Sequence, residues 1–418
     1  MTERLVAWLH GTPVLAITRT ANFRVAIEWE AGGIERWGRA SRVLSISLPL
    51  GSPTSVRDDR GLNFFSNLLP DGPVLNAMAQ MARVPSVDTF GLLQRFGSEC
   101  AGAVTLLREG EVPASSSQWA ASPVSLEELA RLIDALPTTP FGAVLEQDWT
   151  PSLSGFQGKV LLGRSADGAW SRPLHGAPST WILKPDREHE MAQNEATCLR
   201  LAREMGLPVP DVELLEINGA QILAIRRYDR DESRNHASRL HQEDACQATG
   251  TAPMQKYEHA GGPSLKQIAR VLRDYGDLDA TVALFRRVIF NAAIGNADAH
   301  AKNFSLLHDA QNSSITLAPV YDVLSTIALA QRPDFAGTLH PASTQMGQRV
   351  NGVENILAVT RSDLIAEAVS WGVRSATAAR IVSDDLDTLA VATQASTDDE
   401  VVLKFIREQL ARVGTSEH

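Results

Sequence analysis

The chain has 418 residues, of which 44% are hydrophobic, enough to bury a large core in two lobes or domains. Its formal charge of -10 argues against a protein that grips nucleic acid by itself, because neutralising phosphates requires a clustered basic face. Cys100, Cys198 and Cys246 are too widely spaced for a zinc or redox site, so we expect them to be buried, reduced thiols of a cytoplasmic protein. No uninterrupted stretch of about 18 apolar residues occurs, so we expect neither secretion nor membrane insertion.

The first part of the chain is predicted to be rich in β-structure. Residues 4–50 alternate apolar and polar side chains, with turn signals at Gly11–Pro13 and Gly32–Gly33, which is typical of a small antiparallel sheet. Asn63–Asp71 has aromatic and leucine side chains at helical spacing and a proline near its end. We interpret this stretch as a core helix that stops at the proline. Gly97–Leu106 is predicted to be a turn that leads into a strand.

A change of composition marks a subdomain boundary near residue 110. Residues 109–123 are rich in small and turn-forming side chains, which predicts a surface connection. Ser125–Leu136 then reads as an amphipathic helix, with Ser125 as its cap and Glu128 three residues later. This helix is expected to contribute packing and no chemistry.

Pro151–Leu162 is a candidate phosphate loop. It contains serines and glycines whose backbone amides suit phosphate oxygens, and it runs into a strand. It is not a Walker A loop, because Gly155 to Gly158 is too short a spacing and Val160 stands where Ser or Thr is needed. An ordinary hairpin turn explains the same residues equally well.

A single lysine ends the next predicted strand, Trp181–Pro185. A lone strand lysine is usually a solvated edge charge, but a kinase core requires such a lysine to neutralise nucleotide phosphates, and Lys184 is the candidate. Gln193–Gly206 is predicted to be a helix, and its Glu195 is a candidate partner for Lys184. Ile222–Arg230 is predicted to be a strand followed by a polar connector.

The polar cluster that follows the apolar stretch Phe285–Ile294 carries the strongest chemical signal. The stretch predicts a buried helix that stops at Gly295, which holds the following turn against packed structure. Asp298 and Asn303 have the Asp-x-x-x-x-Asn spacing of a kinase catalytic loop, and Asp322 follows. Phosphoryl transfer needs a carboxylate beside the acceptor hydroxyl and oxygen ligands for Mg²⁺. In the alternative, Asp298 only turns the chain, Asn303 caps an element of secondary structure and Asp322 is a surface charge.

These residues resemble a known family. Asn296–Ser305 looks like the catalytic loop of the HipA family of bacterial serine/threonine kinase toxins, and Tyr321–Ser325 looks like its metal-binding segment. Lipid kinases share the Asp-x-His-x-x-Asn pattern. Leu48–Leu50 with Asn63–Asp71 resembles the HipA N-terminal subdomain, and Gly97–Leu106 continues the match. The resemblance therefore runs from about residue 4 to beyond residue 330, which favours HipA.

The resemblance implies an α+β, two-lobed, protein-kinase-like fold. The expected domains are a β-rich HipA N-terminal subdomain at 1–110, the rest of the N-lobe with the phosphate loop and ATP lysine at 111–230, and a mainly helical C-terminal lobe at 231–418. ATP and Mg²⁺ are the expected cofactors.

It also implies roles for individual residues. Asp298 orients or deprotonates the acceptor hydroxyl, Asn303 and Asp322 hold Mg²⁺, and His300 braces the phosphates or the metal site. The expected nucleotide-binding residues are Ser152, Ser154, Gly155, Gln157, Lys184, Arg226, Tyr228, His300 and Tyr321. Arg239–Gly250 matches another family segment, with Gln242 and Glu243 near the expected site.

In the family, the serine of the phosphate loop can become phosphorylated, which ejects the loop. Ser152 matches that serine and Ser154 is a second hydroxyl in the loop, so both are candidates for autophosphorylation. Gly158 and Arg226 replace residues that are commonly acidic in the family, which puts a side-chain role at these positions in doubt.

The resemblance further implies partners. The expected acceptor is a protein serine, in known members often in an aminoacyl-tRNA synthetase, and the expected binding partner is a HipB-like helix-turn-helix antitoxin through which DNA is contacted indirectly. Two alternatives remain: a catalytically silent corepressor that only binds the antitoxin, and a small-molecule or lipid kinase. The intact Asp298, Asn303 and Asp322 set argues against the first, and the N-terminal match opposes the second.

Overall fold

A computed structural model gives the architecture for residues 3–55, 58–143, 151–155, 157–186, 191–233, 237–276, 278–309, 311, 314–331 and 343–414. Phe156, in the candidate phosphate loop, lies outside the described residues.

Both strands and helices occur along the whole chain. The strands are β1 Arg4–Leu9, β2 Thr12–Arg19, β3 Val25–Trp29, β4 Val104–Arg108, β5 Ala120–Pro123, β6 Val160–Arg164, β7 Trp170–Leu174, β8 Trp181–Pro185, β9 Val212–Ile217, β10 Ala220–Arg226, β11 Arg230–Asp231, β12 Ser238–Arg239, β13 Gln242–Asp244, β14 Ser305–Asp309, β15 Ser314–Leu317, β16 Gln345–Val350 and β17 Val353–Asn355. The helices are α1 Ala31–Trp37, α2 Arg60–Ser66, α3 Gly72–Ala82, α4 Thr89–Phe96, α5 Leu126–Asp134, α6 Met191–Glu204, α7 Ala245–Thr249, α8 Leu265–Tyr275, α9 Leu278–Ile294, α10 Thr326–Leu329, α11 Arg361–Ser370, α12 Ser375–Ala395 and α13 Glu400–Gly414.

The chain divides into two compact units that do not follow the sequence in simple blocks. The first unit contains residues 1–185, 224–253 and 307–314, and the second contains residues 186–223, 254–306 and 315–418. The chain passes from one unit to the other at five points: at the end of β8, inside β10, after Pro253, inside β14 and inside β15. The predicted boundaries at 110 and 230 do not coincide with these crossings, and the three-domain division remains a prediction.

The first unit opens with the predicted small antiparallel sheet, in the order β3-β2-β1-β4. Leu5 pairs with Ile17 and both are fully buried. Helices α2 and α4 cover the sheet with apolar side chains that form one continuous core, including Phe64, Phe65 and Phe96. The strand predicted after Gly97 is confirmed as β4, whereas the core helix predicted at Asn63–Asp71 is confirmed only for Asn63–Ser66, because α2 ends at Ser66 and a turn follows.

Two features of the N-terminal prediction are wrong. Residues 43–48 form no strand, because their backbone groups bond to side chains from elsewhere in the unit: Glu243 accepts from the Ile46 N–H at 2.8 Å, and His241 Nε2 lies 2.7 Å from the Leu44 carbonyl. Gly32–Gly33 is not a turn but lies inside α1. Gly33 permits α1 to pack closely against β2, since a Cβ at this position would lie 3.0 Å from Cα of Val14.

A second sheet of the first unit runs β5-β7-β6-β8-β10. Residues 120–123, predicted to be part of a surface connection, instead form edge strand β5, paired antiparallel with β7. The cap at Ser125 is confirmed, because its hydroxyl accepts from the Glu128 N–H at 3.1 Å. Strand β8 lies between β6 and β10, so Lys184 is carried by an interior strand.

The second unit is mainly helical, as predicted. Helix α9 is the buried helix expected at Phe285–Ile294, and α8, α11, α12 and α13 pack around it. After Asp322, this unit also contains a hairpin of β16 and β17 before α11 begins. In the part of the chain that the structure describes, no helix is long and apolar enough to cross a membrane.

The three cysteines are buried thiols, as predicted. Burial raises the pKa of the Cys100 thiol to about 12 and also raises that of Cys198. These thiols therefore act as small core side chains rather than reactive groups.

The end of α9 is a left-handed turn at Gly295, where φ is +70°. A Cβ at this position would lie 2.5 Å from Cε1 of Phe405, which comes from α13. Glycine is therefore required both by the backbone conformation and by the packing.

We predict that Gly295→Ala lowers the free energy of unfolding by about 2–4 kcal/mol, since it combines left-handed strain with overpacking. Gly372→Ala is the matched control: φ is +98° there, but no atom lies within 4 Å of the new Cβ, so about 1 kcal/mol is expected. Urea unfolding measures both. Equal losses in the two variants would show that the contact with Phe405 does not matter.

Candidate active site

The loop after Gly295 is fixed by hydrogen bonds at its first residues. The Asn296 backbone N–H donates to the Asn291 carbonyl at 2.9 Å, and the two side-chain amides bond at 3.1 Å. The Thr326 hydroxyl donates to the Gly295 carbonyl at 3.0 Å and accepts from the Ala297 N–H at 2.9 Å. These hydrogen bonds fix the direction in which the chain leaves the buried helix, and the polar cluster follows directly.

Asp298 is exposed, in contrast to its buried neighbours Ala297 and Ala299. Its Oδ1 accepts a hydrogen bond from the Tyr257 hydroxyl at 2.8 Å. The carbonyl of Asp298 accepts from the His300 N–H at 2.7 Å. An exposed, oriented carboxylate on a braced loop can accept a proton from a hydroxyl group that approaches from solvent.

Asn303 is buried and holds its side chain in one orientation. Its Nδ2 donates to the Asp322 backbone carbonyl at 3.1 Å, so the loop and the later aspartate are directly joined. Its Oδ1 is buried and has no hydrogen-bond donor in the described part of the chain. A buried amide oxygen without a donor is costly unless another positive group, such as a cation, takes that place.

Asp322 has a left-handed backbone, with φ of +53°. The segment after it is anchored by Asn194 of α6, which is fully buried. Asn194 donates through Nδ2 to the Ser325 carbonyl at 3.1 Å and accepts through Oδ1 from the Ser325 N–H at 2.9 Å. The Tyr321 hydroxyl bonds to the Ser305 hydroxyl at 2.6 Å and to the Lys302 carbonyl. The expected nucleotide contact of Tyr321 would therefore have to use its ring.

His300 is buried, and desolvation lowers its pKa to about 4, although nearby Asp298 favours the protonated form. The imidazole is therefore neutral at pH 7. Its Nδ1 is buried without a hydrogen-bond partner in the described part of the chain. A neutral ring can offer a phosphate oxygen one N–H but no positive charge.

The donor set of this unit fits Mg²⁺ in one specific way. Among the described residues, no group of three or more His, Cys, Asp and Glu side chains is placed to hold a metal ion by itself. Mg²⁺ in nucleotide sites is usually bound by one or two protein oxygens, with phosphates and water completing the shell. The carboxylate of Asp322 and Oδ1 of Asn303 suit that arrangement.

The other predicted site residues belong to the first unit, and Lys184 is buried there. This burial excludes the solvated edge charge as its explanation. Gln157 donates through Nε2 to the Pro185 carbonyl at 3.3 Å, which joins the candidate phosphate loop to the strand that carries Lys184. Glu195, the candidate partner of Lys184, is buried in the second unit, and the pairing stays a prediction.

The candidate phosphate loop is packed onto the first unit. Ser152 is fully buried; its N–H donates to the Glu99 carbonyl at 2.7 Å and its hydroxyl to the Leu68 carbonyl at 3.0 Å. Ser154 is half-buried, and its carbonyl accepts from Lys159 Nζ at 2.9 Å. The Gly155 carbonyl accepts from the Asp71 N–H at 3.2 Å. The backbone amide of Ser152 is therefore engaged in a hydrogen bond within the protein and is not available to a phosphate oxygen in this conformation.

Gly158 and Arg226, the two positions that depart from the family pattern, have different surroundings. A Cβ at Gly158 would make an ordinary contact of 3.6 Å with Leu136, so glycine is not sterically required there. Arg226 donates through Nε to Glu232 at 2.8 Å, so its head is engaged by a carboxylate six residues later. The Tyr228 hydroxyl donates to Gln242, which brings two predicted site segments together.

A buried ion cluster underlies the connector, and the sequence analysis missed it. Its members are Glu99, Arg227, Asp229, Arg230 and Arg239. Burial opposes ionisation, yet the three arginines hold the pKa of Glu99 well below its usual range. Two carboxylates and three guanidiniums leave the cluster one positive charge in excess. The arginine-rich run at 226–230 was the available signal.

Two further site residues had little or no signal in the sequence. Asn194 stands out only as an amide inside a helix, and Tyr257 lies 41 positions before Asp298 in the chain. Neither belongs to a motif with a stated chemical spacing.

The chain matches family descriptions over most of its length. The HipA N-terminal domain matches residues 5–107, and the HipA-like C-terminal domain matches residues 151–395. Among curated relatives, Putative kinase Y4mE of Sinorhizobium fredii is 39% identical over 320 residues, which are 74% of this chain and 73% of the relative. The Serine/threonine-protein kinase toxin HipA of Shewanella oneidensis is 28% identical over 312 residues, 69% of this chain and 68% of that protein.

A solved structure confirms the predicted α+β fold. A chain from the Shewanella oneidensis toxin–antitoxin complex of HipA, HipB and operator DNA aligns with a TM-score of 0.78 at 22% identity. The alignment covers 98% of this chain and 96% of that chain.

We predict that Asp322→Asn weakens Mg²⁺-assisted ATP binding by at least about tenfold, because a carboxylate attracts a hard divalent cation by charge as well as by coordination. Asn303→Ala should have a smaller effect. ATP titrations with and without Mg²⁺ measure this, and Asp274→Asn, which removes an exposed carboxylate at the end of α8, is the control. Undiminished Mg²⁺ assistance in Asp322→Asn would overturn the metal assignment.

Proposed function

The chain belongs to the HipA family and is a HipA-like serine/threonine kinase, and from this premise we propose that it is the toxin of a type II toxin–antitoxin system. It would transfer the γ-phosphate of ATP to a protein serine. The observation that carries the proposal is the joined pair of Asn303 and Asp322 beside the exposed carboxylate of Asp298, all in one unit.

Asp298 acts as the proton acceptor in this proposal. The serine oxygen bonds to the γ-phosphorus, the bond from that phosphorus to the oxygen of ADP breaks, and the electron pair leaves with ADP. The hydroxyl proton passes to Asp298. The exposure of Asp298 and the bonds that hold its loop support this role, since a protein serine has to approach from outside.

The remaining groups handle the phosphate charge. Asn303 and Asp322 would hold Mg²⁺, which neutralises charge on the phosphate oxygens when bound. The buried, donor-free Oδ1 of Asn303 supports this role in the described structure. Lys184 would neutralise phosphate charge from strand β8, and neutral His300 would donate an N–H.

The partners follow by analogy with the relatives. An aminoacyl-tRNA synthetase is the first acceptor to test. The solved Shewanella oneidensis complex contains HipB and operator DNA, so we propose a HipB-like helix-turn-helix antitoxin for this chain. A formal charge of -10 supports contact with DNA through the antitoxin rather than directly. We place the reaction in the cytoplasm.

The phosphate loop gives the enzyme a route to switch itself off. A phosphoserine carries roughly -1.5 to -2 charges at neutral pH. At Ser152 this charge would stand where the hydroxyl now meets the Leu68 carbonyl, in a fully buried position. The docked loop cannot keep such a group without a large desolvation penalty, so modification would release the loop.

We predict that Asp298→Ala folds and binds ATP but loses phosphoryl transfer and growth inhibition, because this carboxylate serves the acceptor more than the nucleotide. Phosphoproteomics after induction of the parent and of the variant identifies the acceptor. A variant as toxic as the parent would show that the toxicity does not depend on phosphoryl transfer and would overturn the kinase-toxin proposal. Phosphate on lipids or small molecules alone would point to the other kinase class.

We also predict phosphate on Ser152 or Ser154 in protein purified from cells, and its absence in Asp298→Ala. Mass spectrometry detects it. Ser152→Asp should weaken ATP binding more than Ser154→Asp, because Ser152 is fully buried and Ser154 is half-buried. An enzyme that transfers phosphate elsewhere but never to this loop would disprove the self-inactivation and leave the kinase assignment intact.

A further inference from the structure

One aromatic residue outside the predicted motifs touches the proposed catalytic carboxylate. Tyr257 lies between two short 3-10 helices, Pro253–Gln255 and Glu258–Ala260, and its hydroxyl donates to Oδ1 of Asp298 at 2.8 Å. Asp298 is otherwise exposed, so its side chain is accessible to an acceptor. A hydrogen bond to one oxygen restrains the rotation of a carboxylate, and this restraint helps to aim the second oxygen at an acceptor hydroxyl.

The tyrosine is itself held in place by its ring. The Tyr257 ring stacks on His259, with centroids 5.3 Å apart and planes at 23°, and meets His300 edge-on at 5.2 Å and 80°. Contacts with two other rings restrict its side-chain torsions. These ring contacts do not involve the hydroxyl.

The backbone around Tyr257 is joined to the same loop. The Lys256 carbonyl accepts from the Ala301 N–H at 3.0 Å. The Glu258 carboxylate accepts from the Arg349 N–H of β16 at 2.8 Å, and Gly347 of that strand donates to the Ala297 carbonyl at 2.7 Å. The tyrosine segment, β16 and the catalytic loop therefore form a closed ring of contacts within the second unit.

Glycine lets the segment turn tightly enough to reach the loop. A Cβ at Gly262 would lie 2.2 Å from the Gln255 carbonyl oxygen and 2.8 Å from that of Tyr257. A bulkier residue would push apart the backbone on both sides of the tyrosine.

We propose that Tyr257 is a positioning residue for phosphoryl transfer, which aims Asp298 at the acceptor serine and does not bind the nucleotide. The inference rests on the proposed kinase function of the same site. In this role Tyr257 donates a hydrogen bond and exchanges no proton with the substrates. Its loss should slow the chemical step and leave ATP binding as it was.

The test compares Tyr257→Phe with the parent. The variant keeps the ring contacts and removes only the hydroxyl, and Tyr275→Phe, at the C-terminal end of α8, is the matched control. Single-turnover transfer from γ-labelled ATP·Mg²⁺ to dephosphorylated casein and to the protein's own serines is measured, together with the Kd for ATP. We expect transfer to fall about 10- to 100-fold in Tyr257→Phe, the scale of one hydrogen bond to a charged group, with an unchanged Kd. Tyr275→Phe should match the parent.

A double-mutant cycle separates positioning from general stabilisation. In the Asp298→Ala background, where the residual single-turnover rate is measured over extended incubation, Tyr257→Phe should cause no further loss, because the group that it positions is gone. Parent-like transfer in Tyr257→Phe, or the same fold-loss with and without Asp298, would overturn the inference while the kinase assignment stands. A parent that transfers no phosphate would overturn the proposed function and this inference with it.

Discussion

The end of α9 at Gly295 is the constraint on which the proposed site depends. A buried apolar helix cannot continue into a polar loop without a sharp change of direction, and the left-handed glycine packed against Phe405 supplies it. Thr326 bonds to the backbone on both sides of that turn. The same helix-end geometry therefore orients the loop that carries Asp298 and Asn303 and ties it to the segment after Asp322.

The chemistry-bearing residues fall into two sets with different surroundings. Those of the second unit are the proposed proton acceptor Asp298 and the proposed metal ligand Asn303 on one heavily hydrogen-bonded loop, and the proposed ligand Asp322, which a hydrogen bond joins to that loop. Those of the first unit are a buried lysine on an interior strand and a loop packed onto the core. The ion cluster around Glu99 underlies this loop, since the Glu99 carbonyl accepts from Ser152 while its carboxylate meets three arginines. Removing one partner of such a cluster leaves a buried charge, which is strongly destabilising.

The sequence was informative where chemistry fixes a short spacing, although the roles of these residues stay a proposal. Asp298, Asn303 and Asp322 were predicted together, and the structure joins Asn303 to Asp322. It was insufficient where contacts join distant segments: Tyr257 reaches Asp298 and Asn194 reaches Ser325 across 41 and 131 positions. Residues 43–48 show the same limit, because alternating apolar side chains also suit an irregular buried segment whose backbone is satisfied by a distant glutamate.

Asn303 and Asp322 are proposed to form the metal-binding part of a phosphoryl-transfer centre. Anomalous diffraction from crystals grown with Mn²⁺ and a non-hydrolysable ATP analogue tests it most directly, since Mn²⁺ substitutes for Mg²⁺ at oxygen ligands. We expect a manganese peak within about 2.0–2.4 Å of Oδ1 of Asn303 and of a carboxylate oxygen of Asp322. A nucleotide-bound manganese ion that contacts neither side chain would contradict it.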